Sequence, residues 1–221
     1  MKKEVRPVDN FTKVRFKDFG TLNLSQGEQE SLTIEADEQV LEELTSEVRD
    51  GTLFLGIGED WWDRIGKVIS SVFSGEQSKV IYHLTVKELD EISISGNCKL
   101  ESDSLKSDEL GVSVSGLVDL TFLHLECSKL DLRISGRGEF SAAGRADQQE
   151  VRISGSGEYQ AGGLASQKMR IVISGQGNAT VRVEESLDIT ISGLGQVNYY
   201  GRPKLRQVIS GLGKSKRLNG E

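Results

Sequence analysis

Leu132-Arg133-Ile134-Ser135-Gly136-Arg137-Gly138-Glu139-Phe140 is echoed further along the chain by Val151-Arg152-Ile153-Ser154-Gly155-Ser156-Gly157-Glu158-Tyr159. The shared core is an aliphatic residue followed by Ser-Gly. The same unit stands at Ser95, Ser115, Ser174, Ser192 and Ser210. The seven serines recur at a spacing of roughly 18–20 residues, and so narrow a period marks a repeat architecture.

Three columns recur around each serine. One residue before it stand Ile94, Val114, Ile134, Ile153, Ile173, Ile191 and Ile209. Three before it stand Ile92, Val112, Leu132, Val151, Ile171 and Ile189, with Gln207 breaking the series. Five after it come Leu100, Leu120, Phe140, Tyr159, Ala179 and Val197. Apolar residues separated by even steps follow strand periodicity, not helical periodicity. The glycine after each serine supplies a corner, through positive φ or the lack of a Cβ. A second glycine lies three after the serine at Gly138, Gly157, Gly177, Gly195 and Gly213, but Cys98 and Val118 hold that place in the first copies. The N-terminal coils are therefore expected to be less regular.

The period is too short for paired-helix repeats, and the leucine-rich-repeat pattern of leucines and Asn or Cys is absent. The sequence predicts a mostly-β fold: a right-handed parallel β-helix, or β-solenoid, of 18–20-residue coils with an N-terminal α+β capping region. Like residues would stack at ~4.8 Å into a continuous dry core. Residues 1–86 form the capping region, 87–215 the solenoid repeats and 216–221 a polar tail. Within the first part, strand-like alternation appears at Val14–Phe16, Leu22–Leu24, Leu32–Ile34 and Leu53–Leu55. Asp37 to Arg49 reads as a short helix stopped by Asp50-Gly51, with Val40, Leu41, Leu44 and Val48 on one side.

An amphipathic segment spans 60–74. Trp61, Ile65, Val68 and Val72 recur at helical steps, and Trp62, Ile69 and Phe73 widen the stripe. The functional reading is a helix that docks on a partner or membrane, with Trp61, Trp62, Ile65, Ile69 and Phe73 in contact. The bland reading, which we prefer, packs it over the solenoid end.

Composition excludes some classes. The chain of 221 residues carries 25 glycines but only 2 prolines, as expected where tight turns join strands that need their N–H groups. A formal net charge of −7 argues against nucleic acid as a partner. No apolar run approaches the ~20 residues of a transmembrane helix. Met1-Lys2-Lys3-Glu4 leads straight into structured sequence without an apolar leader core, so the protein is either cytoplasmic or an exported one whose leader lies upstream.

With these features in hand, the chain resembles the head GIN domain family of putative auto-transporter adhesins of Bacteroidetes envelope proteins. The resemblance rests on Phe11 to Phe16, Gly20-Thr21-Leu22-Asn23-Leu24-Ser25-Gln26-Gly27, Glu35-Ala36-Asp37, Asp50-Gly51-Thr52-Leu53 and the serine-glycine units from Ser95 onward. It implies a β-helical protein of the cell envelope, periplasmic or extracellular, and supplies no catalytic residues to carry over. The stretch from Trp61 to Phe73 is longer and more apolar than the family's usual loop.

Few residues suggest chemistry. His83 and His124 stand alone, outside any zinc-type spacing. The Ser-Gly-x-Gly units lack the glycine two residues before the serine that a nucleophile elbow requires. Following the second glycine, Asp119, Glu139 and Glu158 would form an acidic ladder able to bind a cation or serve as an acid/base pair; the alternative is a solvated turn. Cys98 and Cys127 lie three and twelve residues after their serines, so they do not stack and are expected as free, largely buried thiols. A disulfide would require their Cα atoms within ~7 Å. No catalytic residue, metal or cofactor is expected. The leading expectation is a non-catalytic adhesin or binding scaffold whose partner is a protein or glycan at the cell surface, with no nucleic acid and no membrane contact. Alternatives are a β-helix polysaccharide lyase or hydrolase, and a self-assembling structural protein.

Overall fold

The structure, a computed structural model, describes residues 1–57 and 80–219. The segment expected to be an amphipathic helix, with Trp61, Trp62, Ile65, Ile69 and Phe73, lies outside the described residues.

The repeats wind as a parallel β-solenoid. Its coils are the long bent strands β7 (Glu91–Val114), β8 (Leu117–Ile134), β9 (Arg137–Ile153), β10 (Ser156–Ile173) and β11 (Gln176–Ile191), each paired in parallel with the next. The final coil is divided into β12 (Leu194–Tyr200) and β13 (Lys204–Ile209), both lying on β11, and β14 (Leu212–Arg217) lies on β12. Equivalent residues sit in register: Val112 with Leu132, Leu132 with Val151, and Ile153 with Ile173. These aliphatic columns are buried and form one core cluster. Continuous burial of like residues in parallel strands gives this fold its cohesion.

The corner glycine acts by lacking a Cβ. A Cβ on Gly136, Gly155, Gly175 or Gly193 would lie 2.0–2.2 Å from the carbonyl oxygen of the corner glycine in the preceding coil. Left-handed φ is confined, among these corners, to Gly96 at +118°. Backbones thus pass so closely at the corner that no other residue fits.

The expected irregularity of the first coils is not found. β7 and β8 pair without a register shift from Asn97↔Leu117 to Val114↔Ile134. The shifts fall later, between Phe122 and Leu125, between Gln160 and Gly163, between Ala161 and Ala165, and between Ser166 and Lys168. The shorter later coils must drop residues relative to their neighbours, and bulges absorb the difference. Cys98 and Val118, by contrast, fill the inward corner position without disturbing the ladder.

The parallel stack extends upstream of the serine-glycine units. β2 (Lys13–Gln26) pairs in parallel with β7, placing Val14 and Phe16 beside Ile92 and Ile94 and Leu22 beside Leu100. Beyond β2 lie β5 (Thr52–Ile57) and β6 (Ile81–Val86), again parallel to it. Only then does pairing turn antiparallel. β3 (Ser31–Ala36) covers β6, β1 (Lys2–Arg6) covers β3, and β4 (Leu44–Arg49) covers β5.

The helix expected from Asp37 to Arg49 is mostly a strand. Only α1 (Glu38–Leu41) is helical, and β4 pairs with β5 from Leu44↔Ile57 to Arg49↔Thr52. Asp50 and Gly51, with φ of 49° and 71°, form the two-residue turn of a β-hairpin and not a helix stop. Cross-strand partners for Ser46 and Val48 on β5 outweigh the weak helical spacing of four apolar residues.

Candidate functional site

The solenoid presents two grooves on either side of its serine-glycine corner. Residues before the corner alternate, so that Ile134 and Ile153 point inward while Arg133, Ser135, Arg152 and Ser154 point outward. Stacking of these outward residues over β7 to β10 makes the first groove, about 370 Å³, lined by Ser93, Ser113, Arg133, Ser135, Arg152 and Ser154 among others.

Its charges form a small network. Arg133 donates to Asp131 at 2.9 Å, Arg152 pairs with Glu150, and Arg152 Nη1 stands 3.7 Å from Asp131. Arg152 Nη1 and Asp131 Oδ1 are buried atoms without a hydrogen-bond partner among the described residues. Ser135 and Ser154 donate their hydroxyls to the carbonyls of Val114 at 3.1 Å and Ile134 at 3.4 Å in the preceding coils. Their oxygens remain acceptors, and the guanidiniums supply donors.

A second groove, about 390 Å³, lies just past the corner and holds the acidic ladder read from the sequence. Asp119 is in register with Glu139, and Glu139 with Glu158, all three exposed. Arg137, Gln176 and Asn178 line the same hollow. Among the described residues, no three His, Cys, Asp or Glu side chains converge to hold a metal ion.

The histidines are far from these grooves in register and role. His83 on β6 bonds Glu35 at 2.8 Å, and His124 on β8 meets the Asp103 carbonyl at 3.2 Å. Cys98 and Cys127 are both free and buried; Cys98 is in register with Val118 and Cys127 with Ser107. Burial pushes each thiol up to about 12, far from the reactive thiolate form at neutral pH.

A buried polar cluster has no signature in the sequence. Asp18 of β2 occupies the register position of the corner glycine Gly96. Its carboxylate accepts from the Tyr82 hydroxyl and, at 2.7 Å, from the Phe19 N–H, while Cys98 donates to its carbonyl at 2.8 Å. Loss of water raises its pKa to about 6 despite both hydrogen bonds, which favour the charged form.

The family model described as putative auto-transporter adhesin, head GIN domain, matches residues 10–203. The chain belongs to this family. The fold of the head GIN domain is shared with solved structures of low sequence identity. A putative adhesin from Bacteroides fragilis NCTC 9343 superposes with a TM-score of 0.87 at 23% identity, covering 98% of this chain and 96% of that one. A putative adhesin from Parabacteroides merdae ATCC 43184 gives 0.73 at 22% identity, covering 99% and 96%. A protein of Parabacteroides distasonis ATCC 8503 described as a putative lipid binding protein gives 0.72 at 20% identity, again covering 99% and 96%. No protein with a curated description matches the sequence. Among the described residues, no helix is long and apolar enough to cross a membrane.

Proposed function

We propose that this head GIN domain protein is a non-catalytic, adhesin-like binding scaffold of the cell envelope, periplasmic or extracellular, whose lateral groove contacts a protein or glycan. The observation that carries this reading is the serine-arginine groove running along the axis over β7 to β10. Stacked coils hold its side chains at a fixed pitch on a rigid backbone, so a partner is met without ordering a loop. Serine acceptors beside guanidinium donors suit hydroxyl-rich or amide-rich ligands. Family membership supports the adhesin reading.

The test is a screen of the full chain on glycan and surface-protein arrays, beside the double variant Arg152→Ala, Ser154→Arg. A ligand bound by the wild-type chain and lost on filling the groove supports the proposal. Wild-type binding that the double variant retains in full would overturn the assignment to this groove.

A second reading is favoured by one observation: carboxylates from three adjacent coils, Asp119, Glu139 and Glu158, line a common hollow. Paired carboxylates on neighbouring coils can act as acid and base on a glycosidic bond. Reducing-end release from neutral and acidic polysaccharides, abolished by Glu139→Gln, would establish a hydrolase or lyase in place of a scaffold.

A further inference from the structure

The C-terminal end of the solenoid differs in charge from the rest of the molecule. Between Ile189 and Asn219 there is no Asp or Glu, whereas Arg202, Lys204, Arg206, Lys214, Lys216 and Arg217 all fall there, in a chain of net charge −7. β13 pairs on one side with β11 and β14 on one side with β12; neither has a strand on its outer side among the described residues. Apolar side chains stand on this edge in the open: Leu205 is 38% exposed, Val208 56% and Leu212 82%.

A solenoid end that only blocked association would be polar at its exposed positions. Here exposed aliphatic side chains, cations and unpaired backbone groups coincide. We propose that this edge captures an extended acidic segment of a partner protein, added as a further strand beside β13 and β14. Backbone groups would supply the ladder, Leu205, Val208 and Leu212 would contact the partner's apolar residues, and the six cations would pair with its carboxylates.

Charge argues against the strand edges of a second copy as the occupant. Two C-terminal edges facing each other would oppose six cations to six. The edges at the other end, β1 and β4, present Lys2, Lys3, Arg6 and Arg49 against Glu4 and Glu47 and offer no net acidic complement. A bilayer is disfavoured because unpaired N–H and C=O groups are costly to bury in hydrocarbon, while an added strand satisfies them. This edge is separate from the lateral groove, and its test is independent of what that groove binds.

The experiment measures fluorescence anisotropy of three labelled ten-residue peptides with the full chain. One alternates Glu and Val, one alternates Lys and Val, and one is the acidic peptide N-methylated at every residue, which removes the N–H donors of both its edges. The acidic peptide is expected to bind, and N-methylation to weaken it by about tenfold or more through lost ladder hydrogen bonds. The basic peptide should not bind. Lys204→Glu, Arg206→Glu, Lys216→Glu, with folding checked by circular dichroism, should weaken the acidic peptide by a similar factor. Equal binding of the N-methylated peptide, no binding of the acidic one, or capture by phosphatidylserine vesicles instead of peptide would each overturn the proposal. The peptide comparison alone decides the matter should the triple variant fail to fold.

Discussion

At the scale of single residues, two buried polar groups carry distinct energetic consequences. Tyr159 stacks on Phe140 with ring centroids 5.2 Å apart, and its hydroxyl donates to Gln149 at 2.6 Å. Gln149 stands where neighbouring coils carry Leu130 and Met169, so a polar exception in one column answers a polar exception in another. Tyr159→Phe leaves the Gln149 amide oxygen buried without a donor and should cost about 1–3 kcal/mol. Adding Gln149→Leu should recover most of that loss, giving a coupling energy of about 1 kcal/mol or more in a urea-denaturation cycle. Additive effects would show that the hydrogen bond contributes nothing. Asp18 has the opposite character. Its carboxyl has a pKa of about 6 in the folded chain against an ordinary 3.8, so the folded state holds the proton more tightly. Stability from this group is therefore greatest at low pH and falls as pH rises from about 4 through about 6, by about 3 kcal/mol in all. Asp18→Asn keeps an acceptor for the Phe19 N–H and removes the charge. The variant should be the more stable protein at pH 8 and lose this slope. Chemical denaturation at pH 4.5 and pH 8 reads both; an unchanged slope would contradict the assignment.

At the scale of the coil, steric exclusion at the corner explains why the repeat could be read at all. From Gly116 onward each coil places a glycine over the carbonyl of the glycine below it, so the same residue is demanded again and again whatever the flanking side chains. Gly155→Ala would put a Cβ 2.0 Å from the Gly136 oxygen and 2.3 Å from the Ser135 oxygen. Neither backbone can move without breaking a ladder, and a loss of about 3 kcal/mol or more is expected. Gly111→Ala is the control: its nearest neighbour would be the Asp90 oxygen at 3.6 Å, so its urea midpoint should hardly change. The first coils lack that signature. In β2, Lys17 and Asp18 stand at the positions of Ser95 and Gly96, and β5 and β6 pair with different halves of β2. What survives there is subtler: Val14, Phe16 and Leu22 keep the same spacing as Ile92, Ile94 and Leu100. The Asp50-Gly51 hairpin was legible by its dipeptide, but the alternation of Leu44, Ser46 and Val48 is too polar to announce a strand. The in-register placement of Asp119, Glu139 and Glu158 followed from the repeat spacing alone. The pairing of Asp18 with Tyr82 did not, because the two are distant in sequence and Asp18 stands where the later coils carry the corner glycine.

At the scale of the whole molecule, the two ends of the stack determine whether it stays a single particle. Coils with identical aliphatic interiors would join end to end if their terminal layers were as apolar as their middle ones. The last layer departs from that. Gln207 replaces the aliphatic column of Ile171 and Ile189, Ser215 continues the column of Ala179 and Val197, and Arg217 follows Val181 and Tyr199. Ser215 donates to Gln207 at 2.6 Å, closing a polar contact between β14 and β13. Surrounding cations then repel a second copy of the same end, an effect that salt weakens. The triple variant Gln207→Ile, Ser215→Val, Arg217→Ile restores an aliphatic terminal layer. It should associate with rising concentration, more strongly at about 0.5 M than at about 0.05 M salt because screening removes the remaining repulsion. The unaltered chain should scatter as a concentration-independent particle at either salt. Filaments of the unaltered chain would establish the self-assembling alternative; a variant that never associates would show that the polar residues are not what stops the stack.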